Sequence, residues 1–279
     1  MIERMVNLQK RLKALRSLKN KIVLITGGSS GIGEATAYEA AKRGAIVVLC
    51  ARNLDRLNMV AKHCLILSGR PSFAYQLDVS DPDQIDSVLK TVSHEVGSID
   101  VLVNSAGFGD MQAIYDEPRQ TMEAMVKVNV LALMYLSRCV AKQMMNQGYG
   151  AIVNLGSVAG KIPTPNSSVY SATKAAVINF SNVLRMELAD YGIQVLTVNP
   201  GPVETNFFDQ ADPKGTYLSH LPSAFMLHPA VIAQRIWNHV GYSTREINIP
   251  RYFSAVAIGY QLFPGLGDWV IKHFFALKK

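Results

Sequence analysis

Residues 21–44 read KIVLITGGSSGIGEATAYEAAKRG, and this stretch decides the fold. Its apolar start at 21–26 predicts a strand, the glycines that follow predict a tight turn, and the alanine-rich pattern up to Gly44 predicts a helix. A strand, a glycine-rich turn and a helix in this order direct backbone N–H groups and the positive end of the helix dipole toward an anion such as a pyrophosphate. The stretch therefore predicts dinucleotide binding, although a glycine-rich turn can also be purely structural.

Beyond this stretch, short apolar runs rich in Val and Ile alternate with longer helical patterns. Further strands are predicted at 45–50, 72–77, 100–104, 150–157, 193–201 and 246–250, and helices at 54–68, 81–96, 118–146 and 168–190. This alternation implies right-handed crossovers and a parallel sheet. The predicted fold class is α/β, a Rossmann-type doubly wound, mostly parallel seven-stranded sheet with helices on both faces.

The end of the second predicted strand indicates which cofactor binds. NAD sites usually place a carboxylate here for the ribose hydroxyls, whereas an arginine accommodates the 2′-phosphate of NADP. The chain reads Cys50-Ala51-Arg52-Asn53, without an acid, so Arg52 can pair with a phosphate and Ser30 or Asn53 can donate hydrogen bonds. NADP(H) is therefore favoured; the alternative is that Arg52 only ends a strand on the surface.

Polar residues also follow the later strands, at the sheet edge where such folds bind ligands. They are Asp78, Asn104, Ser157 and Asn199. In addition, Asn129 interrupts the otherwise apolar helical pattern VKVNVLALMYL. An isolated asparagine of this kind is ordinarily a core residue bonded to a helix carbonyl, so Asn129 alone does not indicate function.

The sequence YSATK at 170–174 places Tyr170 and Lys174 one turn apart on one face of a predicted helix. The spacing by itself fits packing as well as chemistry.

Together these motifs identify a family. The chain strongly resembles a classical short-chain dehydrogenase/reductase across residues 21 to about 250. The resemblance is carried by TGGSSGIG at 26–33, DV at 78–79, NSAG at 104–107, Asn129, GSVAG at 156–160, YSATK at 170–174 and PGPVET at 200–205, in the family's order and approximate spacing. Each motif is weak alone, but the combination is highly specific.

The resemblance implies a catalytic tetrad of Asn129, Ser157, Tyr170 and Lys174. Tyr170 would exchange a proton with the substrate oxygen, and because an unperturbed tyrosine has a pKa of ~10, the Lys174 ammonium would have to lower it. Lys174 would also reach the nicotinamide ribose, Ser157 would polarise the substrate carbonyl, and Asn129 would hold a water that links Lys174 to solvent.

The resemblance also implies the cofactor contacts. They are the turn residues Gly27, Ser29, Ser30, Gly31, Ile32 and Gly33; Arg52 and Asn53 at the phosphate; Asp78 and Val79 at the adenine; Asn104, Ala106 and Gly107 on the adenine-ribose side; Tyr170 and Lys174; and Pro200, Gly201, Val203 and Thr205 at the carboxamide. One departure is Ser105, where the family usually has a second asparagine; we expect a local adjustment and no loss of activity.

These residues predict an NADPH-dependent carbonyl reductase or alcohol dehydrogenase that acts on an apolar ketone or secondary alcohol, such as a 3-oxoacyl, sphingoid or steroid-like compound. The alternative is a non-catalytic NADP(H)-sensing or scaffold protein on the same fold. Such sensors are expected to lose the Tyr-Lys pair, which this chain keeps.

The net charge of +7 is concentrated at the amino terminus. Residues 1–21 carry seven basic side chains and one acid, so the rest of the chain is nearly neutral and no nucleic-acid partner is expected. Residues 1–20 form a separate extension, in which apolar residues at three- and four-residue steps along 2–18 predict a basic amphipathic helix. This helix could attach to an anionic membrane surface or dock on the enzyme or a partner subunit.

Residues 251–279 form a second extension, with an uncharged run at 252–267. Glycines and a proline interrupt this run, so a membrane span is not expected. Its aromatic-rich helices could close the substrate pocket, form an oligomer contact or rest on a membrane.

The segment 206–228 is predicted to be an apolar substrate lid or, alternatively, a surface loop anchored by its aromatic residues. The residues that would make the lid are Phe207, Phe208, Tyr217, Leu221, Phe225 and Met226.

The cysteines indicate a reducing compartment. The three cysteines, Cys50, Cys64 and Cys139, are widely spaced in apolar runs and are expected to be reduced thiols. No secretory signal is recognised and no histidine pair has metal-ligand spacing, so we expect a cytoplasmic, metal-free protein. The two long helices suggest a homodimer or homotetramer.

Overall fold

The computed structural model describes residues 11–215 and 226–274. Its strands are β1 (Ile22–Thr26), β2 (Ile46–Ala51), β3 (Ser72–Gln76), β4 (Val101–Asn104), β5 (Gly150–Leu155), β6 (Ile193–Pro200) and β7 (Glu246–Ile249). Its α-helices are α1 (Gly31–Lys42), α2 (Leu54–Ser68), α3 (Pro82–Glu95), α4 (Arg119–Val126), α5 (Ala132–Gln147), α6 (Ser168–Leu188), α7 (Phe207–Ala211), α8 (Pro229–Trp237), α9 (Tyr252–Leu262) and α10 (Pro264–Phe274).

The strands form one seven-stranded sheet in the order β3-β2-β1-β4-β5-β6-β7, and every neighbouring pair is parallel. The predicted fold class is thereby confirmed. The strand order reverses direction between β1 and β4, where Thr26 pairs with Asn104. Because ligands of such sheets bind beyond the carboxyl ends of the strands at this reversal, the fold itself marks the region of the site.

Helices cover both faces of the sheet because alternate strand residues point to opposite sides. On one side Val23 and Ile25 of β1 pack in a core with α1, α2 and α8, which includes Trp237. On the other side Leu24 packs in a second core with α3, α5 and α6. Strands that are buried on both faces have continuous apolar sequences. This explains why VLI at 23–25 and VVLC at 47–50 show no alternation of apolar and polar residues.

The helix predicted at 118–146 is interrupted. A single π-helical turn, Lys127–Leu131, joins α4 to α5 and carries Asn129. The wider turn accommodates a residue whose side chain bonds outside its own helix, which an apolar periodicity cannot reveal. Although residues 119–147 are long and apolar enough to cross a membrane, half of their most apolar window is buried in the protein, as expected for a core helix.

The amino-terminal extension is described only from residue 11, so most of its predicted helix lies outside the described residues. From there on, Leu12, Leu15 and Leu18 are buried in the body of the protein. The Arg16 guanidinium lies over the Tyr242 ring, 4.4 Å from its centroid, and its Nε donates to the carbonyl of Gly241. Of the two alternatives for this extension, residues 11–18 show docking on the protein, and their leucines are not available to a membrane.

Helices α9 and α10 occupy the carboxyl-terminal extension. Helix α9 starts beside the carboxyl end of β7, and α10 follows it after Phe263. The Tyr260 hydroxyl donates to Asp268 across the junction. Of the 206–228 segment the structure describes α7 and its surroundings, while residues 216–225 lie outside the described residues.

Two glycine substitutions test how the first turn fixes α1 on the sheet. A Cβ on Gly33 would collide with the carbonyl oxygen of Gly27, a backbone atom that cannot rotate away. Gly33→Ala should therefore lower the free energy of unfolding by about 1–3 kcal/mol. The matched control is Gly259→Ala in α9, where nothing lies within 4 Å of the new methyl. This change should raise stability by up to about 1 kcal/mol. Urea unfolding compares the two variants, and equal effects would contradict the packing argument.

Candidate active site

A cavity of about 950 Å³ opens at the carboxyl ends of the strands. It is lined by most of the residues predicted for the cofactor and the reaction: Gly27, Ser29, Ser30, Gly31, Ile32, Gly33, Arg52, Asn53, Asp78, Val79, Ala106, Gly107, Ser157, Tyr170, Lys174, Pro200, Gly201, Val203 and Thr205. Asn104 and Asn129 are not among the lining residues. The fold thus gathers side chains from all along the chain in one place.

The turn between β1 and α1 forms one wall of this cavity. Gly27 and Gly31 have φ angles of +67° and +57°, which favour glycine. The Ser30 side chain makes no capping hydrogen bond to the start of α1, so it leaves the first N–H groups of the helix to another acceptor. An open helix start with close glycine packing fits a pyrophosphate group.

The end of β2 presents two arginines to the cavity, Arg52 and Arg56. Arg56 was not predicted from the sequence. The feature that could have identified it is a second cation four positions after Arg52, across the junction from β2 to α2. Asn53 uses its Oδ1 to accept the N–H of Arg56 at 2.9 Å and thereby caps α2, which leaves its amide nitrogen to donate to a ligand.

Asp78 lies on the same wall, near Arg52. Hydrogen bonds from the Ser80 hydroxyl and N–H lower the pKa of Asp78, and the charge of Arg52 lowers it further. The carboxylate is thus ionised at neutral pH and accepts from Ser80 at 2.7 Å and 2.9 Å.

Asn104 lies at the end of β4 with its side chain inside the protein. Its Nδ2 donates to the Ser137 hydroxyl at 3.0 Å and to Asn154 Oδ1 at 2.8 Å. The chain then continues from β4 along the cavity wall, where the Thr26 hydroxyl accepts the N–H groups of Ser105 and Ala106. The structure therefore places Asn104 beneath the predicted cofactor contact, where it holds β4 against β5 and α5.

Asn129 fixes the loop that follows β4. Its Oδ1 accepts the N–H of Phe108 at 3.0 Å, and its Nδ2 donates to the carbonyl of Phe108 at 2.8 Å and to the Thr173 hydroxyl at 3.1 Å. These bonds join the π-helical turn, the loop and α6. A Cβ on Gly107 would lie 3.0 Å from Asn129 Oδ1 and 3.6 Å from Lys174 Nζ, so Asn129 is a close neighbour of the lysine.

Ser157, Tyr170 and Lys174 come together where β5 ends and α6 begins. All three side chains are buried, yet all three line the cavity. Ser157 Oγ accepts the N–H of Ala159 at 3.1 Å, which fixes its rotamer and leaves its hydroxyl proton to another acceptor. Lys174 Nζ donates to the carbonyl of Leu155 at 2.9 Å and lies 5.7 Å from the centre of the Tyr170 ring. The predicted arrangement of tyrosine and lysine on one helical face is therefore what the structure contains.

Burial lowers the pKa of Lys174 to about 8. The ammonium is still the main form at neutral pH, because its pKa stays above 7. A proton that leaves Tyr170 leaves a negative charge on the phenol oxygen. The Lys174 ammonium, 5.7 Å from the centre of the Tyr170 ring, can stabilise that charge.

The other end of the cavity is apolar. Phe207 packs on Tyr170 with ring centroids 5.5 Å apart, and Phe208 meets Phe207 edge-to-face at 5.2 Å. The N–H of Met111 donates to the carbonyl of Ala211 at 2.8 Å, which ties the loop after β4 to α7. Of the predicted lid, Tyr217, Leu221 and Phe225 lie outside the described residues. The described part supplies an apolar wall beside the tyrosine.

Comparison with known proteins identifies relatives over most of the chain. The family profile described as short chain dehydrogenase matches residues 21–215. An uncharacterized oxidoreductase of Staphylococcus epidermidis is 36% identical over 198 residues, which are 71% of this chain and 84% of that protein.

Two solved structures show the same architecture. A short-chain type dehydrogenase/reductase from Mycobacterium marinum superposes with a TM-score of 0.79 at 30% identity and covers 87% of this chain and 98% of its own. A short-chain dehydrogenase from Sphingobium yanoikuyae, solved in complex with NADPH, gives a TM-score of 0.76 at 30% identity, over 90% of this chain and 95% of its own.

The buried lysine predicts a specific pH dependence of stability. The pKa of Lys174 in the folded chain, about 8, lies below its ordinary value of 10.5. Between these values the unfolded chain binds more protons, so stability rises with pH. From pH 7.5 to 9.5 the wild type should therefore gain about 2 kcal/mol of unfolding free energy relative to Lys174→Met. Urea unfolding at both pH values measures this difference, in which the groups that titrate independently of Lys174 cancel. A difference that does not change with pH would contradict the lowered pKa of Lys174.

Proposed function

Because the chain belongs to the short-chain dehydrogenase/reductase family and is an oxidoreductase of that family, we propose that it uses NADP(H) to interconvert an apolar ketone and the corresponding secondary alcohol. The observation that carries this proposal is the convergence of Ser157, Tyr170 and Lys174 on one cavity that also contains the glycine-rich turn. A hydroxyl that can hold an oxygen, a phenol that can donate a proton and a cation that can stabilise the phenolate are the groups that carbonyl reduction requires.

The residues present fit a nicotinamide dinucleotide. The open start of α1 and the positive-φ glycines suit the pyrophosphate, and the wall with Arg52 and Arg56 suits a phosphate on the adenosine ribose. When bound, the cofactor donates a hydride to the ketone or accepts one from the alcohol.

In the direction of reduction, Tyr170 gives its phenolic proton to the substrate oxygen as the carbonyl becomes an alkoxide. Ser157 holds that oxygen through its hydroxyl proton, which is available because its Oγ already accepts the N–H of Ala159. The result is an alcohol and a Tyr170 phenolate. In the reverse direction the phenolate takes the proton back from the alcohol.

Lys174 makes Tyr170 usable near neutral pH. Its ammonium is close to the phenol and in a buried environment, where a charge acts more strongly than in water. The phenolate is thereby stabilised, and Tyr170 becomes a stronger acid. We propose that Lys174 also bonds the ribose beside the nicotinamide.

Asn129 completes the proposed proton path. Both protons of its amide nitrogen are already bonded to Phe108 and Thr173, while its Oδ1 accepts only one N–H. The second lone pair of that oxygen can accept from a water molecule near Lys174. In this role Asn129 orders both the loop and the water through which the proton of Tyr170 is replaced.

The substrate class follows from the apolar end of the cavity. Phe207 and Met111 cluster with Tyr170, and Phe208 packs on Phe207. A chain or ring system of a 3-oxoacyl, sphingoid or steroid-like ketone suits such a wall. An apolar wall also limits the access of water to the reacting carbon.

The competing function is a non-catalytic NADP(H) sensor or scaffold. It is disfavoured because a sensor gains nothing from a buried lysine, whose desolvation is unfavourable, beside a buried tyrosine.

We further propose that the protein is a cytoplasmic homodimer or homotetramer. Its contacts would involve α5 and α6, where Leu131, Tyr135, Val183 and Met186 lie exposed at or near the helix surfaces.

Removal of one hydroxyl tests the proton transfer. Tyr170→Phe should lower kcat by about 10²- to 10⁴-fold and leave NADPH affinity near the wild-type value, because the ring packing on Phe207 is kept. The control is Tyr75→Phe, which removes a hydroxyl that donates to Glu95 away from the cavity. Steady-state NADPH oxidation and NADPH binding by fluorescence measure the two effects. Retained turnover in Tyr170→Phe would refute the assignment.

Reversal of one charge tests the cofactor preference. Arg52→Asp should lower kcat/KM for NADPH by at least about tenfold and raise it for NADH, because a carboxylate repels a phosphate and accepts from ribose hydroxyls. Arg56→Asp should act in the same direction. Arg70→Asp, outside the cavity lining, is the control. An unchanged NADPH-to-NADH ratio in Arg52→Asp would contradict the proposed phosphate contact.

A further inference from the structure

The carboxyl-terminal helices α9 and α10 present an unusual surface, which we call the C-terminal helix pair (residues 252–274). Large apolar side chains that would normally be buried are exposed along it. They are Tyr252, Val256, Ile258, Leu262, Phe263, Leu266, Trp269 and Val270, with exposed fractions between 36% and 66%. Contiguous apolar surface of this kind marks an interaction site.

The exposed surface of α9 is the reverse of an ordinary surface helix. Ala257 is its one fully buried residue, and the residues that lie exposed, among them Tyr252, Val256, Ile258 and Leu262, carry no charge. With 100° between successive residues these side chains cover a broad arc that faces away from the protein. Exposure of such an arc to water is unfavourable, so we expect the arc to contact another apolar phase.

Helix α10 has the composition of a helix at a membrane interface. Leu266, Trp269 and Val270 are exposed on one side, and Asp268 and Lys272 are exposed beside them. Tryptophan is enriched at the level of lipid headgroups, and lysine can extend from there into the aqueous phase.

The charges around the helix pair match an anionic surface. Residues 251–279 contain four basic side chains and one acid, and none of these charges falls between Arg251 and Asp268. An apolar segment flanked by cations combines burial in the acyl boundary with attraction to anionic headgroups, worth about 1 kcal/mol per cation. Each helix has 11 residues, or a length of ~16 Å, which suits an interfacial position and is too short for a span.

A second copy of the chain is a less suitable occupant of this surface. The exposed side chains of α5 and α6 already provide a separate apolar face for self-association. A contact between two helix pairs would also bring together two copies of residues 251–279, each with four basic side chains and one acid.

The base of the helix pair is fixed to the candidate active site. Phe253 packs against Gly201 of the cavity wall, where a Cβ on Gly201 would lie 3.0 Å from the Phe253 ring. The Ser254 hydroxyl accepts from Asn248 at 2.9 Å. The docked amino-terminal segment lies at the opposite end of the sheet, since its arginines reach Gly148 and Gly241 before β5 and β7.

From these observations we propose that the C-terminal helix pair binds the surface of an anionic lipid bilayer and inserts its apolar side chains into the headgroup and acyl boundary. The protein is then a monotopic peripheral membrane protein whose cavity end faces the lipid. This binding does not depend on turnover, so it can be tested independently of the proposed reaction.

The experiment uses the purified full chain and vesicles of equimolar phosphatidylcholine and phosphatidylglycerol, compared with phosphatidylcholine alone. The wild type should co-sediment with the anionic vesicles and less with the neutral ones. The chain has two tryptophans, of which Trp237 is buried and Trp269 is half-exposed. Emission should therefore shift to shorter wavelength on binding, as Trp269 leaves water.

Two triple variants separate the helix pair from general surface hydrophobicity. Leu262→Asn/Phe263→Asn/Leu266→Asn should weaken vesicle binding by at least about tenfold. The control, Met59→Asn/Leu65→Asn/Ile66→Asn, changes similarly exposed apolar residues of α2 and should bind like the wild type. Circular dichroism verifies that both variants are folded.

Three results would overturn the proposal. In the first, the wild type stays in the supernatant with anionic vesicles. In the second, the two triple variants bind vesicles equally. In the third, the helix-pair variant changes the oligomeric state in light scattering while vesicle binding is unchanged, which would assign this surface to a second copy of the chain.

Discussion

The hydrogen bond from the Lys174 ammonium to the carbonyl of Leu155 is the contact on which the candidate site depends. It ties α6 to the carboxyl end of β5 and sets the position of Tyr170, one turn earlier on the same helix. A buried cation is unfavourable for folding, as its lowered pKa shows. The fold accepts this cost only where neighbouring elements hold the helix firmly. Asn129 supplies that support, because it joins the loop after β4 to Thr173 on the same helix.

Most of the fold could be predicted because its strands and helices carry strong local signals. The strand in residues 21–44 and the helix at 54–68 were found with nearly their observed bounds. The sequence could not show the π-helical turn at 127–131, since apolar periodicity reports which face is buried and is insensitive to one extra residue in a turn. The sequence also could not show where Leu12, Leu15 and Leu18 pack, because an amphipathic helix has the same pattern whether it docks on protein or lipid.

The candidate site was predictable residue by residue where a motif fixed the backbone, as at 26–33 and 170–174. The site was less predictable where the role of a residue depends on the direction of its side chain. Asn104 follows a strand as a cofactor ligand would, yet its amide points into a network with Ser137 and Asn154. Arg56 was missed for the opposite reason: an exposed cation on a helix usually has no role, and only the shared cavity wall connects it with Arg52.

The proposed reductase and the proposed NADP(H) sensor differ in whether the chain carries out hydride transfer. The most direct test is NADPH absorbance in the presence of the purified wild type and a panel of 3-oxoacyl, sphingoid-type and steroid-like ketones. We expect NADPH oxidation that depends on the ketone and slows when the transferred hydrogen of the nicotinamide is replaced by deuterium. Tight NADPH binding with no ketone-dependent oxidation across the panel would contradict the proposed reaction and favour the sensor alternative.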